Sequence, residues 1–259
     1  MPRLLEWITR TWSLMSLVSQ ILLILWVLGM IAVPIVAWVG GKGTERIGIS
    51  VTVLLQVGLV ISILHKAWGT GRTAAAWLAV SGIGWASEVI GSRSGFPYGA
   101  YHYTRVLKPQ ILDVPVIVPL AWMMMMPPAW AVGHVAAAGY IGPGASIMFV
   151  LLSALAFTSW DLYLDPLMVR WGFWKWHRNG AYFGIPLSNY MGWFCTAGVI
   201  TAIVGPSALP APPLLLVFFI TWLLQAVGQM VFWGLIGPGI AGFIGMGIMA
   251  AAAWKGIPW

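Results

Sequence analysis

Apolar residues fall along this chain in long unbroken runs, with little alternation. Eight runs stand out, at about 16–39, 48–68, 73–90, 116–139, 145–164, 187–205, 213–234 and 239–254. Each reaches or approaches the roughly 20 residues a helix needs to cross a lipid core. A transmembrane barrel would show segments of about ten residues with alternating polarity, which these are not. The pattern predicts an all-α polytopic membrane protein: a bundle of seven or eight transmembrane helices in one domain over residues 1–259. The choice between seven and eight lies in the last run, which is short and carries Gly239, Gly242, Gly245 and Gly247. Small residues at such spacing suit close helix packing, and a re-entrant piece is the alternative.

Most connections are tight turns: GGKGTER, IGPG, GPSALPAPP and GLIGPG. Residues 91–115 and 165–186 differ, being long, aromatic and rich in Gly and Pro. Long connections in a compact domain are functional or disordered, and the aromatic content argues against disorder. Counting spans places both on one membrane face. All four acids beyond residue 45 gather there: Glu88, Asp113, Asp161 and Asp165.

Composition closes off other classes. The chain is 60% apolar and 7% charged, with a mean hydropathy of +0.90, whereas a soluble domain carries roughly 25% charged residues. The net charge of +7 comes from cations scattered singly through the loops, with no cluster to bind nucleic acid. Those cations suit anionic lipid headgroups and the setting of topology. The face with the long connections holds more of them, so positive-inside counting places it in the cytoplasm. Arg3 and Arg10 precede the first run as in a signal peptide. That run is too long for one and lacks a cleavage pattern, so it reads as a retained anchor of a multi-pass cell-membrane protein. Cys195 is the single cysteine, which rules out an intrachain disulfide and Cys-based metal sites. The histidines show no ligand-like spacing, and no metal site is predicted.

The sharpest constellation is Asp161 and Asp165 in TSWDLYLDPLMVRWGFWKW. An i,i+4 spacing puts both carboxyls on one helix face, and Pro166 predicts that the helix ends at Asp165. Repulsion, the negative end of the helix dipole and burial all oppose two charges there. One acid is then able to hold and donate a proton. The alternative is a structural pair bridged to Arg170, Lys175 or Arg178. Glu88 stands alone in a helix otherwise uncharged from Thr73 onward; it is either paired with Arg93 or part of a buried acid–base system. Asp113 reads as a solvated turn residue. His102, between Tyr101 and Tyr103 and close to Tyr98, either positions water or polarises a bond, or belongs to an interfacial aromatic belt. Asn189 begins a helix, as a cap, an interhelical hydrogen bond or a holder of water. Trp160, Trp171, Trp174 and Trp176 surround the acid pair, where aromatic faces stabilise a transient cation. Met123–Met126 form an adaptable apolar run that suits a lipid-substrate wall or simple packing.

The segments EVIGSRSGFPYGAYHYTRVLKP, DVPVIVPLAWMMM, SWDLYLDPLMV with GFWKW, and GAYFGIPLSNYMGWF resemble the integral-membrane carotenoid biosynthesis proteins. Residues 80–195 carry the motifs; the remainder is similar in hydropathy. The resemblance implies a carotenoid 1,2-hydratase that adds water to the terminal double bond of an acyclic end group, on a substrate such as γ-carotene, lycopene or a bacterioruberin precursor. It implies no cofactor. The partners it implies are carotenoid, water, membrane lipids and other enzymes of the pathway. For such chemistry the residues offer Asp165 as proton donor, with Asp161 or Glu88 assisting. Arg93, Tyr98, Tyr101, His102, Trp160 and Asn189 are candidates to hold substrate or water. A small-solute or proton transporter and a non-catalytic pigment-binding protein are the alternatives from other classes.

Overall fold

The computed structural model describes residues 2–257, except for the side chains of residues 2, 37–39, 42 and 143. Its helices are α1 (Pro2–Leu14), α2 (Leu17–Ser94), α3 (Ile117–Ala136), α4 (Pro143–Arg170), α5 (Leu187–Val204), α6 (Ala211–Val227) and α7 (Ile236–Gly256). A wide π turn, Gly228–Phe232, prolongs α6. The 78-residue α2 is not one rod. Its backbone leaves the helix at Gly41 (φ 70°) and Gly69 (φ 75°), a conformation that costs glycine little. Three arms result, 17–40, 42–68 and 70–94, and they coincide with the first three apolar runs. Among the described residues, six helical stretches are long and apolar enough to cross a membrane, and the chain is an integral, multi-pass membrane protein.

The centre of the bundle is α3. Apart from His134 near its end it is apolar on every side, as suits a helix packed on several faces, and Trp122, Met123, Met125, Met126 and Trp130 are almost wholly buried. It packs against α2, α4, α6 and α7. The glycine-rich last run forms the continuous 21-residue α7, so the re-entrant reading does not hold. Close packing does: a Cβ at Gly242 would lie 2.5 Å from the Tyr163 ring of α4. The amphipathic α1, absent from the apolar pattern, seats Trp7 against Phe219 and Trp254, with ring centroids 5.9 and 6.2 Å away.

The two long connections meet. Strand β1 (Tyr101–Tyr103) of the first pairs antiparallel with β4 (Trp174–Trp176) of the second, in the register Tyr101↔Trp176, His102↔Lys175, Tyr103↔Trp174. A small hairpin, β2 (Gln110–Ile111) with β3 (Val114–Pro115), completes the first connection. Side chains alternate across a strand. The ribbon therefore turns its tyrosines and tryptophans inward and leaves His102 and Lys175 exposed.

One expectation fails on α4. The helix does not end at Asp165 but runs through Pro166 to Arg170. Proline removes the N–H that would bond the carbonyl four residues back, here that of Leu162. The Tyr182 hydroxyl donates to this carbonyl at 2.9 Å. The next carbonyl, Tyr163, accepts from the Gln229 side chain. With both satisfied by other elements, the helix continues past its proline.

Candidate active site

Asp161 and Asp165 lie one turn apart on α4 and are buried, at 0% and 2% exposure. The first turn of α5 brings Asn189 between them. Its Nδ2 donates to Oδ2 of Asp161 at 2.9 Å and to Oδ2 of Asp165. Trp174, delivered by β4, donates its indole N–H to the second oxygen of Asp165 at 3.0 Å. Oδ1 of Asp161 has no hydrogen-bond partner among the described residues. The pair therefore shares one amide group, and Asp165 alone has a further donor. Among the described residues the ion pairs are Arg10–Glu6 and Arg93–Asp113. Neither acid is bridged to Arg170, Lys175 or Arg178.

Glu88, on the last arm of α2, has a different environment. Tyr101 and Tyr103 donate to its Oε2, the latter at 2.8 Å. The Trp122 indole donates to Oε1 at 3.3 Å. Burial first, and then the neighbouring Glu88, holds the Tyr101 and Tyr103 phenols well above the usual tyrosine range, so both remain donors. Three donors suit an ionised carboxylate; the aspartate pair spreads the same number of hydrogen bonds over twice the oxygens.

Both centres line one cavity of about 120 Å³, partly open to the outside. Asp165, Glu88, Asn189, Tyr101, Tyr103 and Trp160 all face it, whereas Asp161 stands behind Asp165 and does not. Aromatic rings form its wall. Trp122 stacks on Phe157 and on Trp193, with centroids 4.7 and 4.8 Å apart. Trp160 meets Trp193 at 6.1 Å. Of the methionine run, Met124 reaches the cavity.

Three sequence-based candidates lie elsewhere. Arg93 is exposed and sits 4.0 Å from Asp113, not on Glu88. His102 is on the outer face of the ribbon, its Nδ1 3.2 Å from Nε2 of His177. Tyr98 is buried behind the cavity and donates to Ser87 Oγ at 2.7 Å. Its ring fits where Gly91 and Gly192 have no side chain; a Cβ at either would come within 2.4 or 2.6 Å of it. Sequence reasoning missed Trp122 and Trp193. Each is one tryptophan among 18, and no local spacing singles it out.

Membrane-crossing helices around a buried, acid-lined cavity, roofed at one face by an aromatic ribbon, define a polytopic membrane protein that can hold an apolar molecule against carboxyl groups. Residues 48–253 match the family model described as carotenoid biosynthesis protein, and the chain belongs to that family. It is also similar to the bisanhydrobacterioruberin hydratase of Haloarcula japonica, with 32% identity over 130 residues, covering 49% of this chain and 43% of that protein. The match thus spans under half the length of that relative. No solved structure matches the chain.

Proposed function

We propose that this protein is a carotenoid hydratase, adding water across the terminal double bond of an acyclic end group to give a tertiary alcohol. The observation that carries the reading is the pair of unlike carboxyl centres on one aromatic cavity, Asp165 with its partner Asp161 on one side and Glu88 on the other. Environments that set two acids apart assign acid and base roles. Family membership and the named activity of the Haloarcula relative support the substrate class: a carotenoid such as γ-carotene, lycopene or a bacterioruberin precursor.

An isolated trisubstituted alkene reacts with water only after protonation. Asp165 gives its proton to the less substituted carbon; the alkene electron pair forms the new C–H bond. The tertiary carbon becomes cationic, under the faces of Trp122, Trp160 and Trp193, where aromatic quadrupoles favour positive charge. A water oxygen adds to that carbon, and Glu88 takes the proton the water releases. Transfer of that proton from Glu88 back to Asp165 across the cavity both groups line restores the two acids and closes the cycle, with Asp161 sharing it as a coupled pair. The sum is one water added and no change in oxidation level, and no step calls for a metal or nucleotide.

Expression in a host that accumulates lycopene or γ-carotene tests the reading. Pigments heavier by one water, absent with Asp165→Asn, are expected. An unchanged pigment profile with the wild-type protein present in the membrane would overturn it.

A further inference from the structure

The cavity has an arm that the hydration chemistry does not use. From Trp122 it passes Val53 on the middle arm of α2 and reaches Met30 and Val33 on the first, with Leu224 of α6 opposite. No charged side chain lines this stretch. Its rim is apolar on the outside as well: Ile31 and Ile35 on one flank and Leu223 and Val227 on the other are all exposed. Trp233, just after the π turn, lies against the same space. Its indole N–H donates to Oε1 of Glu45 at 3.1 Å. Glu45 is buried at the start of the middle arm of α2, at 7% exposure. The Trp233 ring meets Trp171 edge-on at 5.2 Å and fits because Gly228 has no side chain; a Cβ there would come within 2.6 Å of it.

We infer that this arm seats the long apolar chain of the substrate, which enters sideways from the lipid between the first arm of α2 and the end of α6, and that the Trp233–Glu45 hydrogen bond closes this entrance. The inference rests on the hydratase reading and adds the binding mode. An end group at Asp165 must leave the rest of its molecule somewhere. The roof is a ribbon whose outer face is polar, His102 beside Lys175. The arm is uncharged, with Ser50, Gln56 and Gln225 among its aliphatic groups, belongs to the same cavity as the acids and is bordered by outward-facing apolar residues. Glu45 is placed to hold Trp233 across the opening from a different element, so the two can separate without disturbing Glu88 or Asp165.

The test compares a full-length acyclic carotenoid with a short acyclic terpene hydrocarbon carrying the same end group, using purified full-length protein. Wild type should hydrate both. Val53→Trp and Met30→Trp, which fill the arm, should lower the ratio of long to short turnover by about tenfold or more, the scale of a mis-fitted group in an apolar pocket. Trp233→Phe keeps a ring but removes the donor to Glu45. It should load the long substrate from liposomes faster than wild type, and this second readout holds if the filled variants misfold. Filled, folded variants with an unaltered ratio, or Trp233→Phe loading at the wild-type rate, would overturn the inference while leaving the hydratase reading intact. Wild type hydrating neither compound would instead overturn the hydratase reading and the inference with it.

Discussion

At the scale of single residues, the three buried acids Glu88, Asp161 and Asp165 are hydrogen-bonded differently, and none forms an ion pair among the described residues. Asn at position 165 keeps the size of the side chain and an oxygen for the Trp174 indole, but has no acidic proton. Asp165→Asn should therefore fold and retain pigment while hydration falls by roughly 10²–10⁴-fold, the worth of a general acid; turnover assays with size-exclusion profiles check both halves. Were Asp165 only a structural acid, the change would alter stability but spare the turnover of the folded protein. Glu88→Gln should also abolish conversion, with Asp161→Asn milder because its side chain stands outside the cavity. Near-normal turnover in all three would remove the acid cavity from the mechanism. The aspartate pair was legible in the sequence because one helical turn separates its members. Of the two readings left open for His102, the outer-face position fits the interfacial one, for an equally simple reason. Tyr101, His102 and Tyr103 look like a cluster when written as a string, but in a strand the middle residue points the other way. Arg93 was drawn to Glu88 by sequence distance, yet five residues along a helix face different sides.

At the scale of elements, the eight apolar runs located the helices and their breaks, since burial in lipid leaves a long and simple signature. The ribbon left no such trace. Strands of three residues are too short for alternation to register, and their pairing joins positions far apart in the chain. The passage of α4 through Pro166 was also unreadable, because the groups that make it tolerable, Tyr182 and Gln229, come from other elements. Tyr182→Phe leaves the Leu162 carbonyl without its donor. It should destabilise the protein by about 1–3 kcal/mol, the cost of an unsatisfied buried polar group, seen as a lower thermal midpoint in detergent. Gly242→Ala puts a methyl 2.5 Å from the Tyr163 ring and should cost about 1–3 kcal/mol by overpacking. A midpoint equal to wild type in either variant would contradict the packing described for α4.

For the whole molecule, the paired connections make one roof over one cavity, so residues distant in sequence must lie side by side on a single membrane face. In a Cys195→Ala background, His102→Cys and Lys175→Cys, which occupy paired positions, should cross-link on oxidation, and both should react with an impermeant thiol reagent from the same side of a sealed vesicle. Labelling from opposite sides would dismantle the site. The span count put both connections on one face, and the acids followed; the contact between the connections came from the fold. The proposed reaction of this cavity is the addition of water to a carotenoid end. It is tested most directly by incubating the purified protein with an acyclic carotenoid in water labelled with heavy oxygen. The account predicts a product carrying one labelled hydroxyl on the tertiary carbon next to the chain end, formed by wild type and absent with Asp165→Asn. Recovery of unlabelled, unreacted carotenoid from folded wild-type protein that binds it would contradict the claim.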